Sequence, residues 1–450
     1  MASNNELKNS PLHFLGIGGI GMSALARIAL DGGLKVSGID RSDTDIVKEL
    51  RDKGATIHIG DGVHVDPSMT VVYSSAVSKD HPALQAAKAM NCRLFHRSQF
   101  LKHLMEGKRS LLVSGTHGKT STTALLTWVL MSAGLEPSYA VGGILKNTGI
   151  NGSHGNGSYF VAEADESDGS FTEYTEGYGG IITNIEEDHM NYWKNKETLV
   201  KGFTTFASQM KNLYWCIDDP VLSSLKLQGQ SYGVSEKADW QLYDVCQENT
   251  GLIFSVSHSG HHFKSIKLPM IGSHQALNAT SVWGMCIDLG LTEKSLREAF
   301  SSFTGVSRRL ERKGEVKGIL VYDDYAHHPT EVSVTLAALK KRYTGKRLIG
   351  IFQPHRYTRT QDCLKEFATS FEATDVIYIT EIYSAGEDPI SGITGKTLSD
   401  VVPGSIFMSS DEDILEGVVK VAKEGDIIIT IGAGSITKLG PKILHALTLK

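Results

Sequence analysis

Residues 13–40 read HFLGIGGIGMSALARIALDGGLKVSGID. An apolar run ending at Ile17 overlaps Gly16-Ile17-Gly18-Gly19-Ile20-Gly21, a helix-like GMSALARIAL follows, and a second apolar run, KVSGID, closes at Asp40. That order predicts a βαβ unit, because parallel strands need a crossover long enough to hold a helix. The glycines let the chain turn tightly and bring backbone N–H groups against a diphosphate at the positive helix end. Asp40 lies 24 residues after Gly16, where a carboxylate could accept from a ribose hydroxyl. The motif does not specify the nucleotide, and the same glycines would also serve close helix–strand packing alone.

The alternation recurs twice along the 450 residues. A second series begins near Leu111 with LLVSG, a helical stretch after Gly118, YFVAEADES and GGIITNIEEDH; a third follows Arg309 with ILVYDD, RLIGIF, DVIYIT and DIIITIG, separated by stretches such as EVSVTLAALKKRY. This predicts an α/β chain of parallel sheets covered on both faces. Breaks near Gly107 and Arg309 give three expected domains, 1–107, 108–309 and 310–450, in keeping with ~100–200 residues per domain. Short runs within residues 212–267 read as an antiparallel elaboration of the central domain, and NGSHGNGS (residues 151–158) as a flexible loop.

Composition removes several function classes. Lys and Arg number 45 against 50 Asp and Glu, a net charge of −5, which leaves no basic excess for neutralising nucleic-acid phosphates. No run approaches the ~18–20 apolar residues of a membrane span, and no leader is visible, so a cytoplasmic protein is expected. Cys92, Cys216, Cys246, Cys286 and Cys363 are scattered and never spaced C-x-x-C, which predicts reduced core thiols rather than disulfides or a zinc site. His58, His64, His261 and His262 read as surface or loop histidines.

Three segments carry candidate chemistry. Ser114-Gly115-Thr116-His117-Gly118-Lys119-Thr120-Ser121 follows a strand and opens a helix, placing an ammonium and a hydroxyl where ATP phosphates and Mg²⁺ would sit. Val113 stands where a standard P-loop has glycine, so the loop is shorter than that pattern. Glu163, Asp165, Glu166 and Asp168 put four carboxylates into six residues, and Asp188-His189 ends the next apolar run; such donors suit Mg²⁺ or Mn²⁺ beside phosphates, or form a plain acidic loop. Asp323-Asp324-Tyr325-Ala326-His327-His328 and Gln353-Pro354-His355-Arg356-Tyr357-Thr358-Arg359 both fall at carboxyl ends of predicted parallel strands, where open sheets bind ligands. Arg356 and Arg359 could hold a carboxylate bidentately, or cap helices and pair with surface acids.

In order, HFLGIGGIGMSALA, VVYSSAV, VSGTHGKTSTT, EADESDGSF, TNIEEDH, GSHQALN, FTGVSRRLE, DDYAHHPTE and FQPHRYTRT resemble the Mur ligases of bacterial peptidoglycan synthesis over nearly the whole chain. The resemblance implies a Rossmann-like UDP-binding domain, a central P-loop ATPase-like domain with a mostly parallel sheet, and a C-terminal Rossmann-like domain. It implies ATP-dependent joining of L-alanine to the carboxylate of UDP-N-acetylmuramate, in a monomer or homodimer. By matching, Gly18, Gly19, Ile20, Gly21, Asp40, Ser74 and Ser75 would hold the UDP-sugar. Gly115 to Ser121 would hold ATP phosphates, with Lys119 at the terminal phosphates. Thr120, Glu163 and His189 would ligate metal. His274, Asn278 and Tyr325 would line the adenine site, Arg308 or Arg309 would meet the γ-phosphate, and Asp324 would orient the ribose. His327, Arg356 and Arg359 would receive the amino acid. Gln275 stands where the family usually has asparagine, and Ala24 and Ala326 replace common glycines.

The implied chemistry answers a real obstacle, since a carboxylate is anionic and its oxide leaves poorly. Attack of the sugar carboxylate on the γ-phosphate releases ADP and gives an acyl phosphate, whose carbonyl the alanine amine then attacks, expelling phosphate. Protein work is mainly positioning and charge neutralisation, with domain closure expected to gate it. His189, His327 or solvent could take the amine proton, and L-serine or glycine could replace L-alanine. A peptide-accepting muramate ligase of cell-wall recycling, a non-catalytic nucleotide-binding protein and a dehydrogenase are the competing readings.

Overall fold

The computed structural model describes residues 10–450. Of these, residues up to 244 with 254–268 and 277–304 form one compact unit, and 245–253, 269–276 and 305–450 form a second.

In the first unit, β1 (Leu12–Leu15), β2 (Val36–Asp40), β3 (Thr56–Ile59), β4 (Thr70–Tyr73) and β5 (Arg93–His96) make a sheet of order β3-β2-β1-β4-β5 with every pair parallel. Strand order reverses between β1 and β4, and the crevice outside their carboxyl ends is where such sheets take ligands. Gly16–Gly21 leave β1 there, and Ser74-Ser75 leave β4. The helix Ile20–Asp31 buries Met22 to Ala29.

The second sheet adds β6 (Arg109–Ser114), β7 (Ser138–Leu145), β8 (Ile150–Ser153), β9 (Tyr159–Glu163), β10 (Gly177–Ile182), β11 (Met210–Cys216), β12 (Gln230–Gly233), β13 (Trp240–Glu248), β14 (Gly251–His258) and β15 (His261–Leu268). Its order is β15-β14-β13-β12-β11-β10-β6-β9-β7-β8, so β6 lies between β10 and β9 and is parallel to both. The carboxyl ends of these three strands therefore face one region. The helix Lys119–Ser132, which follows β6, is buried along most of its length despite its threonines. Thr122 and Thr123 satisfy their hydroxyls on the Gly118 and Lys119 carbonyls, both at 2.9 Å.

Two sequence expectations change here. The run SYGVS is not antiparallel: β12 pairs parallel with β11 (Tyr214↔Gln230), the short helix Pro220–Ser224 returning the chain to the same end of the sheet, and parallel also with β13 (Tyr232↔Trp240). NGSHGNGS is not a free loop, since its first residues lie in β8 with Asn151 buried. Asn151 Nδ2 donates to Ile20 O (2.5 Å) and Ser23 Oγ (2.9 Å), and a Cβ on Gly152 would lie 2.8 Å from Ala24 Cα. The glycine that would have been expected at 24 is thus supplied across the contact, at 152.

In the second unit, β16 (Glu311–Val316), β17 (Ile319–Asp324), β18 (Leu348–Phe352), β19 (Val376–Ile379), β20 (Ile406–Phe407) and β21 (Ile427–Ile431) take the order β16-β17-β21-β18-β19-β20, parallel except at β16. Ile427, Ile429 and Ile431 pack into one core and Ile428 into the other, as expected of a strand covered on both faces. Such fully buried side chains contribute ~1.5–3 kcal/mol each.

Among the described residues no cysteine is in a disulfide; Cys92, Cys216 and Cys286 are buried, whereas Cys246 is exposed, against the expectation of a core thiol. His58 and His64 are exposed and stack on each other at 3.8 Å, and His261 and His262 are exposed in β15. No helix among the described residues is long and apolar enough to cross a membrane.

Candidate active site

The shortened phosphate loop is held by the segment after β10. Gly115 sits at φ +132°, and a Cβ there would fall 2.0 Å from Thr183 Oγ1, so glycine is required on both counts. Thr183 Oγ1 donates to His117 O (2.6 Å), Asn184 Oδ1 accepts from His117 N (2.8 Å), and Thr116 Oγ1 exchanges hydrogen bonds with the Glu186 backbone (3.1 and 2.9 Å). His117 Nε2 lies 2.8 Å from Glu186 Oε2. Gly118, at φ +83°, begins the helix Lys119–Ser132 without a side-chain cap, which leaves the first N–H groups available to an anion. The buried Asn278 amide lies against Gly118, where a Cβ would meet its Nδ2 at 2.4 Å. Thr120 and Ser121 are buried in the first turn.

Lys119 turns back into this loop. Its Nζ donates to Gly115 O (2.6 Å) and Thr116 O (3.0 Å) and lies 2.8 Å from Glu166 Oε2. Burial pushes the Glu166 carboxyl up to about 7 despite Lys119. Burial also works against the Lys119 ammonium, but Glu166, then Asp165 and Glu163, hold it above the ordinary lysine value.

The acidic turn divides its carboxylates among different partners. Glu163 Oε1 accepts from Gly142 N (2.6 Å), and a Cβ on Gly142 would sit 2.6 Å from Glu163 Oε2. Asp165 Oδ2 takes Arg97 Nη2 at 2.9 Å. Asp168 Oδ2 accepts from Ser75 Oγ (2.8 Å) and lies 3.6 Å from His96 Nε2. His189 has φ +56° and begins the short helix Met190–Trp193, with Nε2 3.6 Å from Asp188 Oδ2. Of the residues expected near the UDP-sugar, Ser75 therefore reaches the acidic turn. Asp40 Oδ2 instead closes on the Gly18 N–H (2.8 Å), and its Oδ1 accepts from Ser42 N (3.0 Å). A Cβ on Gly21 would lie 2.9 Å from Arg97 Nη1, so Arg97 spans from the first glycine loop to the acidic turn. Sequence reasoning passed over Arg97, although it follows β5 at a parallel-strand carboxyl end, the same signal used elsewhere.

The second unit gathers the remaining candidates. Arg308 Nη2 donates to Gly432 O (2.6 Å) and Gly434 O (3.3 Å), and its Nε lies 3.5 Å from Asp323 Oδ2. Arg309 has a longer ion pair, 4.0 Å to Glu331. Both guanidiniums lie over the Tyr325 ring, 4.8 and 5.1 Å from its centroid. Asp324 is buried, accepts from Leu310 N (2.6 Å) and Ala326 N (2.7 Å), and is pushed up to about 6 by that burial. His327 Nδ1 lies 3.0 Å from Tyr325 O, and its ring meets His355 edge-on at 5.7 Å. Arg356 pairs with Glu387 at 3.3 Å, and Arg359 is buried in the next turn. His274 is half-buried, and desolvation lowers its imidazole to about 4.

Residues 11–109 match the family model described as Mur ligase family, catalytic domain; 113–286 match Mur ligase middle domain; and 308–434 match Mur ligase, glutamate ligase domain. A UDP-N-acetylmuramate–L-alanine ligase of Protochlamydia amoebophila is 42% identical over 97% of this chain and 98% of its own. The solved UDP-N-acetylmuramate-alanine ligase of Thermotoga maritima superposes with a TM-score of 0.84 at 27% identity, covering 97% of this chain and 98% of that one. A murein peptide ligase from Psychrobacter arcticus shares the fold, with a TM-score of 0.73 at 24% identity, covering 98% of this chain and 99% of that one.

Proposed function

The chain belongs to the Mur ligase family, and from that premise we propose that it is an ATP-dependent ligase joining L-alanine to the carboxylate of UDP-N-acetylmuramate, releasing ADP and phosphate. The observation that carries the reading is the phosphate loop itself: Lys119 is directed by Gly115 O, Thr116 O and Glu166 at the carboxyl end of the strand flanked by β9 and β10. The 42% identity over 98% of an L-alanine ligase supports the single amino acid over a peptide acceptor.

In this reading Gly18, Gly19, Ile20, Gly21, Asp40, Ser74 and Ser75 bind the sugar nucleotide, and Gly115 to Ser121 with His274, Asn278 and Tyr325 bind ATP. Lys119 and one arginine of the Arg308–Arg309 pair stabilise charge on the phosphoryl group as the sugar carboxylate takes it up. Asp324 orients the nucleotide ribose, in addition to organising its own loop. His327, Arg356 and Arg359 receive L-alanine, whose amine attacks the acyl phosphate and expels phosphate. Of the three domains divided near Gly107 and Arg309, the first supplies the sugar-nucleotide residues, the second most of the ATP residues, and the third the amino-acid residues together with Asp324 and Tyr325. The reading includes a cytoplasmic location, where thiols stay reduced.

Thr120 would hold one Mg²⁺, and Glu163 with His189 a second. The hydroxyl and the carboxylate are hard oxygen donors and the imidazole adds one nitrogen, a set open to Mg²⁺ or Mn²⁺, and the missing side chain at Gly142 keeps room around Glu163 Oε2. The two ions would neutralise phosphate charge.

Phosphate release by the purified protein with ATP and UDP-N-acetylmuramate tests the proposal. Release dependent on L-alanine is expected. Dependence on a tripeptide alone would replace it with the recycling reading, and release with neither would remove it.

A further inference from the structure

Each carboxylate of the acidic turn has a different first partner. Glu163 accepts from the Gly142 N–H, Asp165 takes Arg97, and Asp168 takes Ser75 and the Ser170 N–H. Glu166 alone among the four has its carboxylate within 2.8 Å of Lys119 Nζ, and it is 2% exposed. Its backbone carbonyl accepts from Trp193 Nε1 and Gly169 N, both at 3.1 Å, so the turn is pinned on either side of it. Gly115 O and Thr116 O accept two of the ammonium's hydrogen bonds, and Glu166 Oε2 faces it as a counter-ion at 2.8 Å. A phosphate arriving at Lys119 competes with these partners, and Glu166 is the one among them that is a carboxylate, held 2.8 Å from Nζ.

We propose that Glu166 is a positioning residue for the reaction: it fixes the direction of the Lys119 ammonium before nucleotide arrives, at the expense of nucleotide affinity. This rests on the reading of the Lys119 loop as the ATP phosphate site. A buried carboxylate beside that site repels the phosphates and competes for the lysine, yet it keeps the lysine pre-oriented, which matters most in the transition state. Its removal should thus move binding and turnover in opposite directions, which loss of a merely structural contact would not do.

The experiment compares the full-length wild type with Glu166→Gln, Glu166→Asp and Lys119→Ala. It measures MgADP affinity by calorimetry, kcat by phosphate release, and melting temperature. Glu166→Gln is expected to bind MgADP about three- to tenfold more tightly while kcat falls at least about tenfold. Glu166→Asp keeps the charge but withdraws it by one methylene; near-wild-type MgADP affinity with a kcat lowered by about tenfold is expected. Both quantities within twofold of wild type in Glu166→Gln, or a parallel loss of both, overturn the proposal. Should that variant not fold, an unchanged kcat in folded Glu166→Asp overturns it and a lowered kcat at unchanged affinity supports it. The underlying reading fails separately, if wild type binds no MgADP or if Lys119→Ala binds it as tightly as wild type.

Discussion

Arg97 Nη2 lies 2.9 Å from Asp165 Oδ2, joining residues 68 positions apart. The two adjacent carboxylates Asp165 and Glu166 thereby take one cation each, Arg97 from the end of the first sheet and Lys119 from the phosphate loop. Burial alone would raise the Asp165 carboxyl, but Arg97, with Lys119 and His189, holds it well below the usual carboxylate range.

Truncating either partner leaves a partly buried charge without its counter-ion. Arg97→Met and Asp165→Asn should each cost about 1–3 kcal/mol, less than a fully buried pair because both side chains keep some exposure. In a double-mutant cycle read by urea unfolding, a coupling of about 1 kcal/mol is expected. Additivity within about 0.3 kcal/mol would mean that the two side chains do not support each other.

Gly142 makes a sharper prediction for the metal ligands. A methyl at this position would meet Glu163 Oε2 at 2.6 Å, so Gly142→Ala must displace that carboxylate while leaving the strand backbone in place. Mg²⁺ titrations of phosphate release should show a half-saturation raised about 10- to 100-fold, the range for disturbing a ligand's support, with little change in melting temperature. An unshifted titration would take Glu163 out of the metal site.

These residues also mark how far the sequence could be read. The glycine loops were legible because Gly16 and Gly118 adopt positive φ, which glycine reaches without steric cost. The strands were legible because those covered on both faces, such as β21, are continuous apolar runs. Arg97 carried only its place after β5 at a strand's carboxyl end, and its partner, 68 residues away, was not legible. Glu166 stood inside a quoted motif, but four carboxylates within six residues are equivalent until the turn assigns them partners. Asn151 was misread for the same reason: Asn, Gly and Ser favour turns, and only the buried contacts with Ile20 and Ser23 override that preference.

Sequence left Arg308 and Arg309 as alternatives for the γ-phosphate, and their surroundings separate them. Arg308 has φ +61° and binds the Gly432 and Gly434 carbonyls as well as Asp323, so it ties the loop after β21 to its own. Arg309 is held more loosely, by an ion pair at 4.0 Å to Glu331 and by its place over the Tyr325 ring. Arg308→Ala should therefore lower stability by about 2–3 kcal/mol, as expected for losing hydrogen bonds from a charged group. Arg309→Ala should leave the melting temperature unchanged and reduce kcat at least about a hundredfold, in line with losing one charge stabiliser. The reverse pattern would assign the phosphate to Arg308.

His13 predicts an acid-sensitive first sheet. Ser37 Oγ donates to Leu12 O (3.0 Å), so it accepts from His13 Nδ1 (2.9 Å), which places the proton on Nδ1 and leaves Nε2 bare. Nε2 is buried and has no hydrogen-bond partner, so a second proton there would find no acceptor. Burial, reinforced by His64 and His58, lowers this imidazole to about 4. Between that value and the unfolded ~6.5 the unfolded chain binds the extra proton and the folded chain does not, so stability falls as pH drops through this window and levels off below it. With His13 1% exposed, the loss is on the order of 3 kcal/mol. Urea midpoints of wild type and His13→Gln at pH 7 and pH 4.5 test this: the wild type should lose most of that stability and the variant much less. Equal losses in the two proteins would show that His13 takes up its proton without cost in the folded state.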